Sequence, residues 1–244
     1  MRNYSSGGFG GIPPVVKNLL IINVLLLLAT FVVGTAFQIN LIEELGLYFP
    51  ASSKFHPYQI VTHMFMHGGW FHLFFNMFAL WMFGRVLESV WGPKRFFLYY
   101  VITGLGAAGF HLLVNYINYK SLTSSLSQEE IRIIAEQGRQ MTRFPNVEMR
   151  DLAVLLNTPT VGASGAVFGV LLGFGMLFPN TRLMLLFPPI PIKAKYLVIG
   201  YGALELYLGL TQPGSNIAHF AHLGGMVFGF FLIKYWNKKG DSFY

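Results

Sequence analysis

Cysteine is absent from the 244 residues, which removes disulfide frameworks, cysteine nucleophiles and thiolate metal sites. Charge is scarce: Asp, Glu, Lys and Arg make up 11% of the chain, against roughly 25% in an ordinary soluble domain. Internal repeats are missing, and no Gly-rich nucleotide fingerprint follows a strand, so ATP-driven and dinucleotide chemistry have no support. What is present is apolar. Hydrophobic residues account for 54% of the chain, 24 of them Phe, and the mean hydropathy is +0.52. A chain of this balance is hard to keep in water, so the composition points to a membrane protein.

A helix crosses a bilayer with about 20 mostly apolar residues, so the distances between successive charges locate the spans. No Asp, Glu, Lys or Arg occurs in 18–42, 55–84, 96–119 or 152–181, and from 196 to 233 the only charge is Glu205. The run Thr211, Gln212, Pro213, Gly214, Ser215 reads as a turn dividing that last segment. Six spans are therefore predicted, near 15–37, 69–88, 95–117, 162–179, 193–210 and 216–235. The first is read as a retained span, because its apolar stretch is longer than the core of a cleaved signal peptide.

Six spans place both termini on one side. If that side is cytoplasmic it holds eleven of the 17 basic residues, including Lys17, Arg85, Lys94, Arg95, Lys193 and Lys234, and only two acids, Glu88 and Asp241. The other side holds six basic residues and seven acids. The positive-inside rule then puts the termini in the cytoplasm, and anionic lipid, with no role for nucleic acid, accounts for the net charge of +7. The expected organisation is a leader at 1–16, an all-α polytopic six-helix membrane domain at 17–236 and a tail at 237–244. A polar extracytoplasmic insertion at 120–151 is expected to carry an amphipathic surface helix over 128–141, with Ser127 and Glu130 as a capping box.

Polar side chains at membrane depth are costly and usually functional. Those inside or beside the predicted spans are His63, His67, His72, Asn76, His111, Ser164, Glu205, His219 and His222. Spans two, four and six run in the same direction, and His72, Ser164 and His222 fall about 5, 3 and 9 Å below their starts at the helical rise. Three polar groups from three helices thus converge on one shallow layer. Ser164 stands among Gly162, Ala163 and Gly165, at a helix start whose free backbone N–H groups can stabilise an oxyanion. His222 precedes Gly225 and Gly229, a small-residue face suited to close packing, with span four as the natural partner. A histidine within hydrogen-bond reach of a serine is the basis of nucleophilic catalysis. His72 and Asn76 share one helix face and are placed to supply neutral donors.

His72-x-x-x-Asn76, Gly162-x-Ser164-Gly165 and Ala221-His222-x-x-Gly225-x-x-x-Gly229, in that order on spans two, four and six, resemble the rhomboid family of intramembrane serine proteases. The resemblance covers residues 18 to 235. It implies cleavage of transmembrane or juxtamembrane segments of other membrane proteins, in a bacterial inner membrane with the site facing outward. Ser164 is then the nucleophile and His222 the general base, a dyad with no acidic third member and no cofactor. His72, Asn76 and the Ser164 backbone N–H form the oxyanion site. Glu88 and Arg95, around Trp91 and Gly92, look like the family's structural loop between spans two and three. Substrate is expected to enter between spans two and five, and a water-filled cavity to be capped by residues 211–216. There are two departures from the common pattern, at three residues: Tyr58 and Gln59 stand where many members have Trp-Arg, and Phe168 where several have Tyr over the histidine. His63 and His67 are expected to fix the first loop.

Other readings fit less well. A zinc protease would draw on His63, His67 and His72 or on His219 and His222, but no HExxH motif is present, and no metal site is expected. A transporter would carry repeated halves and more intramembrane charge. A rhomboid-like protein that binds membrane clients without cutting them is the alternative, and such proteins normally lack the serine or the histidine.

Overall fold

The computed structural model describes residues 11–138, 140–141, 143–184, 189–212 and 217–238. The described chain is mostly helical. Helix α1, Pro14–Phe37, has Pro at its first position and is apolar all round. The short α2 (Leu41–Leu45) and α3 (Gln59–Thr62) belong to the first loop. Helix α4 (Trp70–Ala79) passes through one π-helical turn at Leu80–Gly84 and continues as α5 (Arg85–Trp91). Gly92, at φ 79°, ends α5 and starts the 31-residue α6, Pro93–Thr123. Glycine takes that conformation without strain, and Pro93 suits the first helical position.

Helices α7 (Gln128–Gln137) and α8 (Val147–Asn157) form the insertion, and α9 covers Ser164–Leu177. A two-stranded hairpin, β1 (Arg182–Met184) against β2 (Pro191–Lys193), leads into α10 (Ala194–Thr211). Helix α11, His219–Lys238, closes the described chain. Helices therefore occupy all six expected positions. By length and composition three of them, Pro14–Phe37, Trp70–Trp91 and Pro93–Thr123, are long and apolar enough to cross a membrane. Exposed Phe71, Phe74, Ile199, Tyr207 and Phe231 on α4, α10 and α11 would be untenable in water and are suited to lipid.

The main core gathers α6, α9 and α11, with Tyr99, Tyr100, Phe96 and Val170 fully buried. Small residues bring the three backbones together, as expected for helices in lipid. A methyl group at Gly225 would collide with the Gly165 carbonyl, so α11 and α9 touch backbone to backbone. Gly229 does not continue this contact. It faces the Tyr99 hydroxyl of α6, which itself donates to the Gly169 carbonyl at 2.7 Å.

A second core of Phe49, Ile134, Leu152 and Leu156 joins the insertion to the first loop and the end of α6. Ser127 and Glu130 make the expected reciprocal cap of α7. The expected helix over 128–141 stops at Gln137, and α8 was not expected at all. Its signal is present in the sequence: Asn146 accepts from the Met149 N–H as an N-cap, and Met149, Leu152, Ala153 and Leu156 repeat at helical spacing.

The first loop is anchored by Gln59, one of the residues that depart from the family pattern. Gln59 is fully buried: its Oε1 accepts from the backbone N–H of His56 at 3.1 Å and of Tyr48 at 3.4 Å, and its Nε2 donates to the carbonyls of Lys54 and Glu44. Glu88, 2% exposed, accepts from the N–H groups of Val15 and Val16 at 2.9 and 2.8 Å. A buried carboxylate thus satisfies orphan donors at the start of α1 and meets the positive end of its dipole. Arg95 lies over the Trp236 ring, 5.6 Å from its centre.

Candidate active site

Ser164 opens α9, His72 is the third residue of α4 and His222 the fourth of α11, so the three lie within about one turn of their helix starts. His222 Nε2 stands 2.8 Å from Ser164 Oγ, the spacing of a serine hydroxyl donating to a basic nitrogen. The imidazole is fixed from one side by Phe168, whose ring stacks on it at 4.2 Å between centres and 5° between planes. Stacking therefore survives the departure from Tyr. From the helix side, the Gly225–Gly165 contact sets the distance between the two elements that carry the pair.

The expected oxyanion donors His72 and Asn76 line the same cavity as the Ser164 hydroxyl. The backbone N–H groups of the first α9 turn have no partner within the helix. Gly162, at φ 130°, sits against the His72 ring: a Cβ there would lie 2.8 Å from Nε2. Only glycine fits, both for its dihedral and for its space. His72 Nδ1 accepts from the Gly68 N–H at 3.3 Å, which leaves the proton on Nε2, the nitrogen facing Gly162. Asn76 is buried and donates through Nδ2 to the His72 carbonyl at 2.9 Å, so one of its two amide hydrogens is committed to its own helix.

Ser164, His72, Asn76 and His222 line one cavity of about 1470 Å³. Phe75, Phe78 and Met82 border it from α4 and the π turn, and Leu197 and Tyr201 from α10. This is the boundary between the second and fifth predicted spans. Of the expected cap, 213–216 lie outside the described residues. In the first loop, His63 Nδ1 donates to the Gln59 carbonyl at 2.8 Å, and the His63 carbonyl accepts from Gly162 N–H at 2.9 Å. His67 is buried and packs edge-on against His72 at 5.0 Å, so it supports the site by ring contact. His111 Nε2 is 3.0 Å from Thr160 Oγ1 and holds the strand-like segment before Ser164.

One residue breaks the expectation of a pair with no acidic neighbour. Glu205 of α10, 8% exposed, places Oε2 2.6 Å from His219 Nδ1 and 3.0 Å from His222 Nδ1. The sequence marks it as the lone charge in its span. Its partners could not be read, because they lie in the next helix, α11.

Comparison with known proteins agrees with this architecture. The sequence model of the Rhomboid domain matches residues 54–238. Rhomboid protein 1, mitochondrial, of Saccharomyces cerevisiae is 28% identical over 75% of this chain and 43% of its own length. Rhomboid-like protein 11, chloroplastic, of Arabidopsis thaliana is 26% identical over 88% of this chain and 64% of its own. RHOMBOID-like protein 12, mitochondrial, from the same plant is 30% identical over 69% of this chain and 43% of its own. The chain thus spans between two fifths and two thirds of these relatives. With a family match across most of its length and helices where the family's motifs require them, the chain is a member of the rhomboid family.

Proposed function

We propose that the protein is an intramembrane serine endopeptidase that cuts transmembrane or juxtamembrane segments of other membrane proteins. The observation that carries this reading is the 2.8 Å approach of His222 Nε2 to Ser164 Oγ within a cavity that also holds His72 and Asn76.

The chemistry follows from the donors and acceptors. Ser164 Oγ attacks the scissile carbonyl carbon while His222 Nε2 takes the hydroxyl proton. The carbonyl π pair moves onto oxygen, where His72 Nε2–H, Asn76 and the first N–H groups of α9 meet the developing charge. The imidazolium then gives its proton to the departing amine as the C–N bond breaks. A water entering through the cavity repeats the sequence on the acyl-enzyme and regenerates Ser164. We infer six crossings with cytoplasmic termini, from the charge asymmetry, and an outward-facing site. Substrate enters between α4 and α10, where Phe75, Phe78, Leu197 and Tyr201 border the cavity.

In the test, wild type cleaves a reporter carrying one transmembrane segment and is labelled by a serine-reactive fluorophosphonate. Ser164→Ala and His222→Ala lose cleavage, and Ser164→Ala loses labelling, while both keep the wild-type melting profile. Full activity in either variant rejects the pair. A folded wild type that binds the reporter, is not labelled and never cuts it identifies a client-binding protein instead.

A further inference from the structure

Glu205 does not belong to the pair that the family motifs define, and its position calls for an explanation. A buried carboxylate at membrane depth is tolerated only when paired, and such groups are rare outside functional sites. Glu205 is the one acid between residues 196 and 233. Its side chain is 10% exposed, and Oε2 faces two histidine Nδ1 atoms, at 2.6 and 3.0 Å. If its purpose were only to join α10 to α11, His219 would suffice.

The tautomer of His222 links the carboxylate to the reaction. For Nε2 to accept the Ser164 proton, the ring hydrogen must reside on Nδ1, and Nδ1 is the atom 3.0 Å from Glu205 Oε2. In this conformation Nδ1 makes no aligned hydrogen bond, so the carboxylate is at ion-pair distance but off the N–H direction. Hydrogen bonds of resting catalytic groups are often poorly aligned and tighten in the transition state.

We propose that Glu205 is a positioning residue, the acidic third member of a Ser164–His222–Glu205 triad, held in place by His219. This rests on the serine-protease reading above. When Ser164 Oγ bonds to the carbonyl carbon, its proton passes to Nε2 and the ring becomes an imidazolium whose positive charge lies against Glu205. The carboxylate stays ionised throughout and takes no proton; it holds the Nδ1–H tautomer and stabilises the cation until Nε2–H protonates the leaving amine. His219 Nδ1 donates to the same oxygen at 2.6 Å and fixes the carboxylate from the other side. A metal on this cluster is a poorer fit. Two ligand atoms sharing one tetrahedral zinc sit roughly 3.3 Å apart given bond lengths near 2.0–2.1 Å, whereas 2.6 Å is a hydrogen-bond spacing.

The test compares wild type, Glu205→Gln, Glu205→Asp, His219→Gln and the double variant Glu205→Gln/His219→Gln in proteoliposomes. Activity is scored per folded molecule as kcat and KM on the transmembrane reporter and as the rate of fluorophosphonate labelling. Glu205→Gln is expected to lower kcat and the labelling rate roughly 10²-fold, in the range of general acid–base contributions, with KM unchanged. Glu205→Asp falls between it and wild type, and His219→Gln alone loses less. The Glu205→Gln loss persists in the His219→Gln background, because the carboxylate acts on His222 directly. Three results overturn the proposal: wild-type kcat in Glu205→Gln, equal and non-additive losses in the two single variants, or activation of wild type by a metal chelator. All three leave the serine-protease reading standing. That reading fails separately, if wild type is neither labelled nor active.

Discussion

A histidine that stabilises an oxyanion must carry its proton on the nitrogen that faces the substrate. At position 72 the backbone arranges this, since the Gly68 N–H occupies Nδ1 and leaves Nε2–H toward Gly162. Removing that donor in His72→Ala is expected to lower kcat by roughly 10²–10³-fold, the usual effect of losing one oxyanion donor. Fluorophosphonate labelling checks it, because the phosphonyl oxygen uses the same donors and should react more slowly in proportion. The four polar residues of the site were legible because each belongs to a short motif on a helix, where spacing fixes direction. Glu205 was legible only as a charge without a partner. Its distance to His222 depends on how α10 and α11 face each other, and composition cannot set that. Gln59 was legible as a departure from the family pattern. That its amide would hold four backbone groups could not be read, because those groups come from loop segments without periodicity.

Helix ends carry much of the architecture. Glu88 reaches from α5 to the first turn of α1 and accepts two N–H bonds there. Bonds to a charged, buried acceptor contribute about 1.5–3 kcal/mol each, and Glu88→Ala removes both. The melting temperature in detergent is expected to fall by several degrees while kcat per folded molecule stays at the wild-type value, since α1 does not border the Ser164 cavity. A matching fall in kcat would show that α1 is coupled to the site. The long apolar helices were readable from charge gaps because a bilayer demands about 20 apolar residues whatever the neighbours. The short elements, α2, α3 and the β1–β2 hairpin, are shaped by tertiary partners and gave no such signal.

Across the whole molecule, α9 is the short member of the bundle. Its 14 residues span about 21 Å at the helical rise, roughly 9 Å less than the hydrocarbon core of a typical bilayer. The residues before it, 158–163, are not helical, and backbone of that kind survives at membrane depth only inside protein or beside water. The first loop supplies the cover, with Leu47 bridging Thr160 and His63 accepting from Gly162. The missing turns of α9 therefore act as a depth gauge. A peptide bond can be attacked only where its chain has unwound, and in the proposed orientation Ser164 stands at one fixed level below the outer interface. If the protein cuts membrane proteins as proposed, its selection should follow where a substrate helix breaks more than which side chains flank the break. Shifting a Gly-containing break in a reporter inward by one turn, about 5.4 Å, should sharply reduce cleavage, and adding one turn of polar sequence outside the membrane should not.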